Sequence, residues 1–180
     1  MKYLVTYSSK YGSTKKYAQW IAEELNCPIL EATKVKKSDL IDNDVIIHGG
    51  GLYAGGLSRI SVITKNWNKI SDKKVVLFSC GLANPTNQEN ITSIEKGITR
   101  SLSPEMQEKI KQFHFRGGID YSQLNFIHTM MMNMLKKMLL KNGYEKLRQE
   151  DKEFLDTFGK QVDFTDKSTI TPLIDYVKGL

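Results

Sequence analysis

At 180 residues the chain has room for one domain with a substantial core and too little for two ordinary ones. An apolar fraction of 40% and a charged fraction of 26% exclude a disordered chain, and the two cysteines, Cys27 and Cys80, form no C-x-x-C or zinc pattern, which argues for a reducing compartment, no disulfide and no metal. The formal charge of +6 points to anionic partners such as acidic proteins, anionic lipid surfaces or carboxylate-bearing substrates; the lysines are scattered and no recognition motif is present, which excludes nucleic acid.

Lys2 to Tyr7 has the short apolar, β-branched character of a buried parallel strand, entered without a secretory signal, so a cytoplasmic location is expected. The next residues, Tyr7-Ser8-Ser9-Lys10-Tyr11-Gly12-Ser13-Thr14, read as a phosphate-binding loop. Hydroxyls on Ser8, Ser9, Ser13 and Thr14 can donate to phosphate oxygens, and Gly12 lets successive N–H groups turn toward one anion. From Ser13 to about Asn26, Tyr17, Trp20, Ile21 and Leu25 recur at helical spacing, so a helix N-terminus adds its unpaired N–H groups and positive dipole end. The Gly-Lys-Ser/Thr ending of a Walker loop is absent, which disfavours nucleoside triphosphates. A hydroxyl-rich loop with one glycine after the first strand of a short α/β chain resembles the FMN phosphate loop of flavodoxin-like proteins. That resemblance implies a three-layer α/β/α fold with a five-stranded parallel sheet in the order 2-1-3-4-5. FMN would place its phosphate on Ser8, Ser9, Gly12, Ser13 and Thr14, with Lys10 and Tyr11 in the same loop.

Pro28 to Thr33 reads as a weak strand near an edge, Lys34 to Asp44 as a polar stretch, and Val45-Ile46-Ile47-His48 as a central strand. Gly49 to Gly56 then reads as a glycine-rich loop. In a doubly wound sheet it faces the same site as the first loop, beyond the carboxyl ends of the strands. Gly49-Gly50-Gly51-Leu52-Tyr53-Ala54 also fits the G-x-G-x-x-A dinucleotide fingerprint, but that fingerprint belongs to a first strand-helix turn, where the hydroxyl-rich loop sits here. The flavodoxin-like resemblance instead makes Gly50, Gly51, Leu52, Tyr53, Ala54 and Gly55 flavin-contacting residues, with Tyr53 stacking on the ring. Ser58 is a candidate cap for a helix through Ile60, Ile63 and Trp67.

Lys74 to Ser79 is the fourth strand, and by the same resemblance Cys80, Gly81, Leu82 and Ala83 supply the third cofactor loop. Cys80 reads as a buried structural thiol, since no neighbouring base is evident. Asn90 to Leu102 and Glu105 to Lys111 read as helical, with Pro104 opening the second piece. Phe113 to Gly118 is the fifth strand. His48, His114 and His128 have no spacing that makes a metal site.

Residues about 120–149 form an insertion before a last helix, Glu150 to Val162. Phe126, Ile127, Met130, Met131, Met134, Leu135 and Met138 share a face, with Asn125, Thr129, Asn133, Lys136, Lys137 and Lys141 mostly opposite. Gly-Gly-Ile-Asp-Tyr at 117–121 followed by this Met/Leu/Lys helix is similar to the menaquinone-dependent protoporphyrinogen dehydrogenases, long-chain flavodoxin relatives. The resemblance implies an FMN-dependent oxidoreductase that takes electrons from an anionic porphyrinogen and passes them to a quinone or a redox partner protein. Flexible methionines and flanking lysines suit a peripheral contact of 125–141 with the inner face of the cell membrane; a sheet-covering or homodimer role for the methionine face is the other reading. A flavodoxin-type carrier without a small-molecule substrate is the alternative function. Asp163 to Leu180 reads as a polar tail with an apolar patch at Pro172-Leu173-Ile174, completing a single domain over 1–180.

Overall fold

The structure, a computed structural model, describes residues 1–53, 55–141 and 143–180, with Glu150 described by its backbone alone. The chain forms two compact units, Met1–Gly117 with Thr165–Leu180, and Gly118–Phe164.

In the first unit, strands and helices alternate as β1 (Tyr3–Ser8), α1 (Ser13–Leu25), β2 (Ile29–Glu31), α2 (Lys37–Ile41), β3 (Val45–Tyr53), β4 (Gly56–Leu57), α3 (Ser61–Thr64), α4 (Trp67–Ile70), β5 (Lys74–Gly81), α5 (Gln88–Thr99), α6 (Pro104–Lys109) and β6 (Lys111–Arg116). The parallel strands run β2-β1-β3-β5-β6, with β4 folded back antiparallel on the end of β3. Counting parallel strands alone, this is the expected order. The period of two along β3 divides the core: Val45 and Ile47 face a cluster with Tyr17, Ile21 and Phe78, while Ile46 faces one with Ile63, Trp67, Leu77 and Ile98. Each such buried side chain contributes about 1.5–3 kcal/mol. Helix α1 stops where Asn26 takes a left-handed conformation, φ 46°, its N–H returning to the Ala22 and Glu23 carbonyls.

Several elements differ from the sequence reading. The polar stretch before β3 contains α2, whose start is fixed by the Lys36 N–H donating to Asp39 Oδ2 at 2.8 Å. Strand β3 does not end at His48. Gly49, Gly50 and Gly51 continue it, paired with Phe78, Ser79 and Cys80, because ladder hydrogen bonds to two neighbouring strands outweigh the poor strand propensity of glycine. Ser58 caps no helix; its hydroxyl bonds Ser8 instead, and two short helices, α3 and α4, follow. The fifth parallel strand ends at Arg116 rather than Gly118.

The second unit holds β7 (Gly118–Asp120), α7 (Phe126–Leu140), α8 (Gln149–Asp156) and β8 (Gln161–Asp163), with β7 and β8 antiparallel. Asn125 caps α7, its Oδ1 accepting from the His128 N–H at 2.9 Å. The expected helix 150–162 ends at Asp156, and its last residues form a strand. Within this unit the Lys136 Nζ stands 4.4 Å over the Phe158 ring. The apolar residues of α7 do not form one covered face: Met131 and Leu135 are half-buried, while Phe126, Ile127, Met130, Met134 and Met138 are exposed.

The chain returns to the first unit with α9 (Thr171–Lys178), where the sequence suggested a tail. Leu173, Ile174 and Val177 are buried in the cluster that contains α1. Pro172 in its first turn needs no hydrogen-bond partner there.

Candidate flavin site at the carboxyl ends of the sheet

Parallel pairing fixes which residues meet. Ser8 aligns with Gly50, Gly50 with Ser79, Gly51 with Cys80, and Gly81 with Arg116. The carboxyl ends of β1, β3 and β5 thus come into one row, and the three sequence-predicted segments leave it together.

Ser8 ends β1, Ser9, Lys10 and Tyr11 form the following loop, and Ser13 and Thr14 open α1. Gly12 occupies the N-cap at φ 96°, a left-handed conformation that favours glycine. Its N–H donates to Ser9 Oγ at 3.1 Å, which leaves the Ser9 proton to donate outward. By helix geometry the first-turn N–H groups have no intrahelical acceptor, so this end of α1 is suited to an anion. Ser8 Oγ lies 2.9 Å from Ser58 Oγ, one hydrogen bond between two hydroxyls. The same Ser58 donates its N–H to the Gly51 carbonyl at 3.0 Å and offers its carbonyl to His48 Nε2 at 3.3 Å.

His48 is fully buried and bridges strands: its Nδ1 is 2.9 Å from Thr6 Oγ1. Since a carbonyl only accepts, Nε2 carries the proton and Nδ1 accepts from Thr6. Burial pulls the imidazole down to about 4, the Ser58 carbonyl opposing, so His48 is neutral at physiological pH.

Gly50, Gly51, Leu52 and Tyr53 lie in the strand rather than in a loop; Ala54 falls outside the described residues, and Gly55 turns at φ 77°. The Tyr53 ring folds over Gly51, 2.9 Å from where a Cβ would stand, so no larger residue fits there without moving the ring. Burial pushes the Tyr53 phenol up to about 12, with Tyr11 and Cys80 adding to the effect, which places the first and third segments within electrostatic reach of the second. Leu52 packs against the opposite cluster, and its side chain also lies over Gly81, its Cδ1 3.0 Å from where a Cβ there would stand. Cys80 and Gly81 end β5, Cys80 buried, and Leu82 and Ala83 follow half-buried.

No local pattern marks Ser58, His48 as a hydrogen-bonded bridge, or Arg116, whose Nε donates to the Leu82 carbonyl at 3.2 Å. Their partners lie far off in the chain, beyond the reach of periodicity or motif. An open depression lined by Met1, Asp44, Asp72, Lys73 and Lys74 belongs to the opposite end of the sheet.

The family model for the Flavodoxin domain matches residues 4–146, most of the chain and all three of these segments. The chain belongs to the flavodoxin domain family. Among solved structures, this flavodoxin-domain chain is 22% identical to oxidised Flavodoxin 2 from Bacillus cereus, over 63% of this chain and 84% of that one, with a TM-score of 0.42. It is 16% identical to a flavodoxin from Streptococcus pneumonia, over 62% and 79%, with a TM-score of 0.41. Rubredoxin oxygen:oxidoreductase from Desulfovibrio gigas is 14% identical over 64% of this chain and 30% of that one, with a TM-score of 0.39. No curated protein matches the chain. A flavodoxin domain implies a flavin cofactor, usually FMN. The donor chemistry fits it: hydroxyls and a helix N-terminus suit a phosphate, and an aromatic ring with flanking backbone groups suits a flat polar heterocycle.

Proposed function

We propose that this chain binds FMN at the row of strand ends and acts as an oxidoreductase like the protoporphyrinogen dehydrogenases, passing electrons to a quinone. The observation that carries the reading is the N-terminus of α1, where Gly12 at φ 96° and the hydroxyl loop share one end of the sheet with Tyr53. When bound, FMN supplies the electron-accepting and electron-donating centre. Ser8, Ser9, Ser13 and Thr14 would bind the phosphate, with Lys10 adding positive charge. Tyr53 would shield one side of the ring, and the backbone of Gly50, Gly51, Gly55 and Cys80 to Ala83 would hold its edges. Each two-electron step takes two electrons and two protons from the donor and gives the same number of each to one quinone, so full oxidation of a porphyrinogen to a porphyrin, a loss of six of each, reduces three quinones.

The substrate side of the proposal is supported by α7, where Phe126 is 82% and Met134 67% exposed. Lys136, Lys137 and Lys141 accompany them, with no acidic residue in the helix. Adaptable apolar side chains beside lysines suit the surface of an anionic bilayer holding quinone, or the propionates of a porphyrinogen. No helix among the described residues is long and apolar enough to cross a membrane, so the contact proposed is peripheral, from the cytoplasmic side.

The test is the visible spectrum of the purified chain after FMN addition and gel filtration, followed by anaerobic turnover of protoporphyrinogen with a quinone. A retained, stoichiometric flavin with turnover that disappears on deleting residues 125–141 is expected; a colourless protein that refuses FMN rules the reading out. The match to the Flavodoxin domain favours a second reading, a carrier between proteins. It predicts tight FMN, no porphyrinogen turnover, and reduction only by a reductase protein.

A further inference from the structure

Arg116 closes β6 with its guanidinium turned back onto the segment after β5. Its Nε donates to the Leu82 carbonyl at 3.2 Å, and the N–H of the next residue, Gly117, donates to the Gly81 carbonyl at 2.7 Å. In a trans peptide the C=O and N–H point in opposite directions. Holding these two carbonyls toward β6 therefore turns the N–H groups of Leu82 and Ala83 away from it. The Arg116 backbone is itself fixed: its carbonyl accepts from the Tyr17 hydroxyl at 2.8 Å, and that oxygen accepts from the Asp166 N–H at 3.1 Å. Arg116 is half-buried, and the field of a half-buried guanidinium is less screened than that of a solvated lysine.

We propose that Arg116 is a positioning residue for the flavin ring. It presents the Leu82 and Ala83 N–H groups as ring donors, and its charge favours the electron-rich reduced ring over the oxidised one. The inference rests on the FMN reading above and concerns the ring end of the site, away from the phosphate.

The experiment compares wild type, R116Q and R116K as full-length chains. Fluorescence titration measures the affinity for FMN and for riboflavin, which lacks the phosphate; spectroelectrochemistry measures the flavin midpoint potential; circular dichroism checks folding. Loss of one charge-assisted anchor in R116Q should weaken FMN and riboflavin by the same factor, about tenfold. It should weaken the reduced flavin about tenfold more than the oxidised, a downward shift of about 30 mV for a two-electron couple. R116K, which keeps the charge, should hold the potential and lose part of the affinity. A folded R116Q with wild-type potential, or one that loses FMN but not riboflavin, overturns the inference while the FMN reading stands. Should R116Q not fold, R116K decides: weakened binding of both flavins supports the inference, and wild-type affinity for both overturns it. A wild-type chain that binds neither flavin removes the FMN reading and this inference with it.

Discussion

His48 illustrates how one buried base makes stability depend on pH. Its imidazole, held near 4 in the fold against an ordinary value of 6.5, is protonated in the unfolded chain well before the folded one. Between those values the unfolded state binds more protons, so stability falls as pH drops from about 6.5 to about 4, by about 3 kcal/mol. Denaturant unfolding in half-unit pH steps should show this limb in wild type and a flatter one in H48Q; equal limbs would refute the assignment. The carboxylates of Asp44 and Glu105 act lower still. The Lys2 N–H holds the first below its ordinary value, and hydrogen bonds from Lys109 and Trp67 the second, so their stabilisation is present above those ordinary values and is lost as pH falls below them. Gly49 is a second residue-scale case. A Cβ there would run into the buried Phe78 ring, and G49A should destabilise by about 1–3 kcal/mol in the same assay. The sequence marked both residues only as part of an apolar run and a glycine cluster; the reasons for them lie across the sheet.

At the scale of elements, α9 and α7 are opposites. Leu173 in α9 is fully buried against α1, so L173A should cost about 2–5 kcal/mol. Met134 in α7 is 67% exposed, and M134Q should change stability by no more than about 0.5 kcal/mol. Thermal melts of the two variants side by side check both figures. The sequence suggested the reverse emphasis, because α7 is long and strongly apolar while α9 is short and follows a polar lead from Asp163. Propensity and pattern measure what an element can bury; only the partner surface decides whether it does. α1 was legible from end to end because its signals, the Gly12 start, the 3.6-residue apolar spacing and the Asn26 stop, are all local.

For the molecule as a whole, the proposed FMN site belongs to the unit built of 1–117 and 165–180. At a hundredfold excess over its Kd, FMN should stabilise that unit by about 2.7 kcal/mol. The thermal midpoint should rise by roughly 5–10 °C. If calorimetry resolves two transitions, FMN should move one and leave the other in place; an unmoved profile would argue against the site. The alternation of strand and helix was readable from the chain alone, since it depends on neighbours within a few residues; the sheet order was legible only through the family resemblance, because strand pairing joins residues far apart in sequence. The tertiary structure alone decided that β3 runs through its glycines to Tyr53, that Ser58 reaches Ser8 across 50 residues of chain, that Arg116 anchors Leu82 across 34, and that α9 completes the core. Those contacts join residues distant in sequence, and they form only when the strands fall into register.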